Sequence, residues 1–173
     1  MPTVLESITA ADFPAFLKLN NLAVPHVNAL DDSALAALTE QAWSCQKVTL
    51  DDRMLGFLVV LTPGQHYQSL NYRWFSDHYG QFAYVDRVVV AEESRGLGLA
   101  SMLYDDLFDS AQRGGLERIC CEVNLQPPNP ASLAFHAQRG FIEVGQQETE
   151  GGSKRVSLLV KEFEEVIRNI YIP

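Results

Sequence analysis

Residues 82–123 read FAYVDRVVVAEESRGLGLASMLYDDLFDSAQRGGLERICCEV, and this stretch decides the fold. Phe82 to Val90 is apolar at almost every position, as a central strand covered on both faces must be. From about Leu97 to Arg113, residues Leu99, Met102, Leu103, Leu107 and Ala111 recur at helical spacing, and Gly114-Gly115 ends the run. Ile119 to Val123 is a second buried strand. Strand, helix and strand within so short a span predict a right-handed crossover joining two parallel strands.

Working outward, Thr3 to Ile8 reads as a short strand. A helix follows with Phe13, Phe16, Leu17 and Val24 on one face, and Pro25 stops it. Asp31, Asp32 and Ser33 offer caps for a second helix with Leu35, Leu38 and Ala42 inward. Strands at 45–50 and 54–61 flank the polar turn Asp51-Asp52-Arg53, which predicts a hairpin. Residues 63–81, PGQHYQSLNYRWFSDHYGQ, are rich in aromatics without periodicity and read as a loop holding at most a turn of helix. Such a loop is either an aromatic-lined lid or a segment pinned to the core by its rings. Downstream, Asn129-Pro130 opens a helix that ends at Gly140. Strands at 141–148 and 154–161 lie around Gly151-Gly152, and the tail to Pro173 carries no readable pattern. The whole predicts a single α/β domain, residues 1–173, built on a mixed sheet.

Composition narrows the function. The chain has 173 residues, 47% hydrophobic and 20% charged, with 13 Lys and Arg against 22 Asp and Glu, a formal charge of −9. Nucleic-acid binders draw most of their affinity from a basic face, so that class is disfavoured. Cys45, Cys120 and Cys121 offer neither a disulfide framework nor C-x-x-C metal spacing, and read as reduced core thiols. No apolar run reaches the 18–20 residues of a membrane span, and the N-terminus lacks a signal-peptide pattern. A cytoplasmic protein without a membrane partner is expected, and a homodimer is left open.

The junction Glu92-Glu93-Ser94-Arg95-Gly96-Leu97-Gly98-Leu99-Ala100-Ser101 carries the chemistry. A turn poor in side chains at a helix start leaves backbone N–H groups facing outward, where the helix dipole favours an anion such as a pyrophosphate. Gly96 and Gly98 allow close approach, Ala100 keeps the first turn slim and Arg95 adds positive charge. No Gly-Lys-Ser/Thr follows, so this is not a nucleotide P-loop, and the third glycine of a dinucleotide fingerprint is replaced by Ser101.

Arg95-Gly96-Leu97-Gly98-Leu99-Ala100 resembles the Arg/Gln-x-x-Gly-x-Gly/Ala signature of the GNAT superfamily of N-acetyltransferases. The segment Asn129-Pro130-Ala131-Ser132-Leu133-Ala134-Phe135-His136 through Gly140-Phe141 is similar to that family's second motif, Asn-x-x-Ala-x-x-Leu-Tyr-x-x-x-Gly-Phe. The resemblance implies a mostly antiparallel sheet whose central parallel strands, 82–90 and 119–124, splay apart around acetyl-CoA. It implies that Val88, Val89 and Val90 line the pantetheine arm, with the backbone of Val88 and Val90 pairing to it. It places the pyrophosphate on Arg95 to Ser101, and Asn129 either on the pantetheine or in a purely capping role.

The family's tyrosine, whose hydroxyl protonates the departing thiolate, is replaced here by His136. An imidazole is competent as that acid, and a packed histidine is the alternative. Cys121-Glu122-Val123 resembles the family segment whose Glu takes a proton from the amine, so Glu122 is a candidate base. Two additional residues near Pro127-Pro128 disturb the register after it. Asp86 is the competing carboxylate, unless it pairs with Arg87. The expected reaction is direct attack of a primary amine, on a small molecule or a peptide, upon the thioester. The acidic balance favours a cationic acceptor. A non-catalytic acyl-CoA-binding or sensing module is the alternative from another class, and a longer acyl chain is left open.

Overall fold

The structure, a computed structural model, describes residues 2–164, so the tail that the sequence leaves unassigned lies outside the described residues. Its seven strands form one sheet: β1 (Val4–Ser7), β2 (Ser44–Leu50), β3 (Arg53–Leu61), β4 (Phe82–Val90), β5 (Arg118–Gln126), β6 (Ile142–Thr149) and β7 (Lys154–Glu162). Their order is β1-β2-β3-β4-β5-β7-β6. Every neighbouring pair is antiparallel except β4 and β5, as the crossover reading requires.

Helices α1 (Phe13–Leu22), α2 (Asp32–Gln41) and α3 (Leu70–His78) cover one face, and α4 (Leu99–Arg113) and α5 (Pro130–Gln138) the other. Leu99, Leu103, Leu107 and Ala111 of α4 are buried against the sheet, joined there by Tyr104. Each such leucine contributes roughly 1.5–3 kcal/mol by leaving water. Phe16, Leu35, Leu38, Tyr72 and Phe75 pack the opposite face. Among the described residues, no helix is long and apolar enough to cross a membrane.

Three local expectations change. Residues 63–81 contain a nine-residue helix, α3, where a loop is expected. Ser69 caps it by accepting from Tyr72 N–H at 3.2 Å, and Tyr72 and Phe75 sink into the core, so the aromatics do pin this segment. Helix α1 ends at Leu22, short of Pro25, which leaves Val24 47% exposed instead of on the buried face. Helix α4 begins at Leu99 and not Leu97, because Gly98 sits at φ +77° and turns the chain.

Two irregularities shape the centre of the sheet. Strands β4 and β5 pair only from Phe82–Tyr84 to Arg118–Cys120; beyond this the pairing stops and the strands form a fork. One step earlier along β3, Val59 faces Arg87 while Val60 faces Val85, so Asp86 is an extra residue bulged out of β4. Because side chains alternate, the bulge reverses which face each later residue takes. Val89 joins the α1–α3 side, whereas Val88 and Val90 pack toward α4. In β5 a similar bulge falls at Leu125, and just beyond it the Asn129 N–H closes on the Asn124 carbonyl at 3.2 Å.

Candidate active site

The fork opens into a cavity of about 710 Å³ that reaches both faces of the sheet. Past Tyr84 and Cys120 the facing edges of β4 and β5 lose each other as partners, which leaves main-chain donors and acceptors along the cavity. An extended ligand bearing amides can add to such an edge as a further strand. Val88, Val89 and Val90 line this channel, along with Val123, Asn124 and Asn129.

At one mouth lies the glycine loop. Gly96 and Gly98 have φ of +78° and +77°, and a Cβ added at either would meet nothing within 4 Å. The space over the loop is therefore open to a ligand. The first N–H of the helix start to find a carbonyl is that of Met102, on Gly98 at 3.0 Å. The N–H groups of Leu99, Ala100 and Ser101 precede it, at the positive end of the α4 dipole. Arg95 and Ala100 line the cavity there, and Leu97 points outward, 68% exposed. Asn129 caps α5, its Oδ1 accepting from Ser132 N–H at 3.4 Å, and its side chain also borders the cavity.

Glu122 faces the α1–α3 side of the fork. Tyr84 O–H donates to both of its oxygens at 2.8 Å. Asn71, whose Oδ1 accepts from Gln147 Nε2 at 2.8 Å, turns its amide nitrogen to the same carboxylate. Burial, reinforced by the nearby Asp86 charge, pushes the Glu122 carboxyl up to about 8, against the pull of those hydrogen bonds and of Arg87. The sheet thus places a carboxyl poised near neutrality at the cavity wall.

Asp86 lies nearby but is occupied. Its Oδ2 accepts from Arg87 Nε at 2.7 Å, and its Oδ1 accepts from Tyr67 O–H. Arg87 in turn donates to Asn20 Oδ1 at 2.9 Å and Asn28 Oδ1 at 2.7 Å, tying the loop after α1 to the bulge. Farther out, Lys154 and Glu150 pair at 3.3 Å on the β6–β7 hairpin. The charges on this side are thus largely matched, apart from Glu122.

His136 faces the α4 side and is only 3% exposed. Its Nδ1 lies 2.7 Å from the Ser132 carbonyl, which can only accept, so Nδ1 carries a proton. Its Nε2 lies 2.6 Å from the Tyr104 hydroxyl. Burial and the Arg139 charge hold the imidazole below its ordinary 6.5, opposed by the Ser132 carbonyl. Cys120 and Cys121 are buried thiols, both pushed up by that burial and so poor nucleophiles.

One cavity thus gathers His136, Glu122, Asp86, Asn129, Arg95 and the valines of β4. Sequence reasoning missed Tyr84, Asn71, Tyr67 and Tyr104. Tyr84 alternates with Asp86 along the strand and Tyr104 falls within the buried stripe of α4, so each reads as core until its hydroxyl is placed.

Residues 13–141 match the Acetyltransferase (GNAT) family, and the chain belongs to it. Members of that family use acetyl-CoA as acetyl donor. Among curated relatives, the phosphinothricin N-acetyltransferase of Streptomyces coelicolor is 34% identical over 92 residues, 51% of this chain and 53% of that one. The chain therefore spans about half the length of that relative. Among solved structures, the ribosomal-protein-S18-alanine N-acetyltransferase from Escherichia coli superposes with a TM-score of 0.75 at 17% identity, over 99% of this chain and 100% of the other. Arabidopsis thaliana Naa50, solved with the bisubstrate analogue CoA-Ac-MVNAL, gives 0.73 at 15% identity, over 94% and 100%. At such identities these two likenesses speak for the fold.

Proposed function

We propose that this protein transfers the acetyl group of acetyl-CoA to a primary amine, on a small molecule or a peptide, by direct attack of the amine on the thioester. The observation that carries this reading is the fork, whose bare strand edges run from an open, anion-favouring helix start to a carboxyl of raised affinity for protons. The edge of Val88–Val90 holds the pantetheine, the amides of Arg95 to Ser101 hold the pyrophosphate, and Asn129 borders the arm between them.

Glu122 takes the proton that the amine sheds as it attacks. A carboxyl near 8 is matched to that task at neutral pH. Asp86 is the weaker candidate, since Arg87 and Tyr67 occupy both its oxygens. His136 supplies the proton that the leaving sulfur requires. Free N–H groups on the β4 edge are suited to polarise the thioester carbonyl, and alignment of both substrates in the fork supplies much of the acceleration. With Arg87 and Lys154 neutralising their neighbours, the preference for cationic acceptors should be modest. The strained protonation of Glu122 favours catalysis over a module that only binds acyl-CoA, which has no use for it.

Thiol release from acetyl-CoA, followed across a panel of polyamines, amino-acid amides, peptides and acidic amino acids, tests the reading. Release with at least one amine is expected. Tight acetyl-CoA binding without release by any member would replace transfer with binding alone.

A further inference from the structure

His136 stands where the family motif has its tyrosine, yet it has no free ring nitrogen. Nδ1–H donates to the Ser132 carbonyl at 2.7 Å, and Nε2 meets the Tyr104 hydroxyl at 2.6 Å. The rings around the pair fix it in place. Tyr104 makes edge-on contacts with His136 at 5.3 Å, Phe135 at 5.5 Å and Phe141 at 6.0 Å, and His136 makes its own with Phe141 at 5.1 Å. A proton leaving His136 by Nδ1 would run back into the backbone of its own helix. By Nε2 it meets the Tyr104 oxygen, and both residues border the cavity beside Cys121.

We propose that Tyr104 is a catalytic residue of the transfer, passing a proton from His136 Nε2 to the sulfur that leaves the acetyl group. The inference rests on the acetyl-transfer reading above and deepens it. With His136 neutral, Tyr104 O–H donates to Nε2 and offers nothing to the cavity. With His136 charged, Nε2–H donates to the phenol oxygen, and the phenol O–H is freed to turn to the sulfur. As the carbon–sulfur bond breaks, its electron pair stays on sulfur. The sulfur takes the phenol proton, and Nε2–H refills the phenol oxygen. His136 ends neutral with Nδ1–H still on Ser132, and is recharged from solvent through the same hydroxyl after CoA departs. The phenol is intact before and after, so no phenolate accumulates in a site where burial makes the Tyr104 hydroxyl far less acidic than usual.

The groups that set the charge of this pair come from each element packed on it. Arg139, just past the end of α5, pairs with Asp105 of α4 at 2.8 Å, Lys161 of β7 donates to the Arg139 carbonyl at 2.7 Å, and Cys121 and Glu122 lie on β5. Arg139 disfavours the imidazolium, and Glu122 once ionised holds the proton on the Tyr104 hydroxyl. The base and the relay are therefore coupled across the fork.

The test compares Tyr104→Phe, His136→Phe and the double variant with the wild-type protein. Tyr104→Phe keeps the ring and is expected to lower kcat about 10²-fold, the scale of a lost acid. The dissociation constant for acetyl-CoA should stay within about twofold, since the ring still fills its place. The double variant should be no slower than His136→Phe, because two members of one relay fail together. In mixtures of light and heavy water, wild-type kcat should curve with deuterium content, reporting two protons in flight. Wild-type kcat in Tyr104→Phe, losses that multiply in the double variant, or a straight isotope dependence would overturn the relay. A slow His136→Phe beside a fast Tyr104→Phe would leave His136 as the acid and remove Tyr104 alone. Absence of any CoA release by the wild type would overturn the transfer reading and the relay with it.

Discussion

Glu122 and His136 stand on opposite sides of one fork and are pushed in opposite directions by one cause. Burial raises the carboxyl and lowers the imidazole, because each is favoured in its neutral form away from water. Their partners differ. Glu122 is held by hydrogen-bond donors, Tyr84 and Asn71, which soften the effect of burial by stabilising the anion. His136 sits between a carbonyl and a hydroxyl, and the hydroxyl can either give or take a proton. In the proposed transfer the carboxyl side takes up a proton near neutral pH and the imidazole side passes one on. A cavity with these two walls can take a proton from one substrate and return one to the other without a covalent intermediate.

The comparison breaks most visibly at Glu122. Glu122→Gln should lower kcat about 10²- to 10³-fold while leaving acetyl-CoA affinity nearly unchanged. The carboxylate acts only when ionised, so in His136→Phe, whose turnover no longer depends on an imidazolium, kcat should rise with pH through about 8, and this limb should vanish when Glu122→Gln is added. A profile of His136→Phe that is flat between pH 6 and 9 would move the base elsewhere.

A smaller effect tests the shared mouth of the two walls. Gly98→Ala should raise the acetyl-CoA dissociation constant at least about tenfold, since a methyl would occupy the open space over the loop. The left-handed φ of +77° adds a backbone cost of roughly 1–2 kcal/mol, to be read separately by thermal unfolding. Unchanged affinity, measured by calorimetry on the folded variant, would remove the loop from the ligand site.

The smallest effect concerns stability. Glu122 releases its proton near 4.5 when unfolded and near 8 when folded. Between those values the folded state holds a proton that the unfolded state has lost, so this group's contribution to stability falls as pH rises. Glu122→Gln escapes that loss. It should therefore unfold at a higher temperature than the wild type at pH 8.5 and at about the same temperature at pH 4. The expected gain is roughly 2–4 °C for each kcal/mol recovered. An equal difference at both pH values would show that Glu122 is not held neutral by the fold.

Much of this arrangement was legible in the residues. The apolar run of β4, the stripe of α4 and Gly114-Gly115 carry their own periodicity, and Asn129-Pro130 announces α5. Helix α3 was not legible, because its inward stripe is only Asn71, Tyr72 and Phe75, set among polar and aromatic residues that face outward. Glu122 could be singled out by its neighbours in sequence, but its proton affinity could not, since Tyr84 and Asn71 reach it from other elements. Tyr104 was hidden for a similar reason: it sits on the buried stripe of α4, where a ring is expected and a hydroxyl goes unnoticed.

The sequence by itself determined the parallel crossover, the glycine-bearing helix start and the two motif segments, because each is local and depends on spacing along one element. Only the tertiary structure decided what those pieces face. The bulge at Asp86 exists only in register with β3, and it sends Arg87 and Val89 to one side and Val88 and Val90 to the other. Tyr104 is separated from His136 by 32 residues and Tyr84 from Glu122 by 38, yet in the fold each pair meets within 2.8 Å. The chemistry of a buried group is set by what the fold brings beside it and by how much water it excludes, and neither is a property of any one segment.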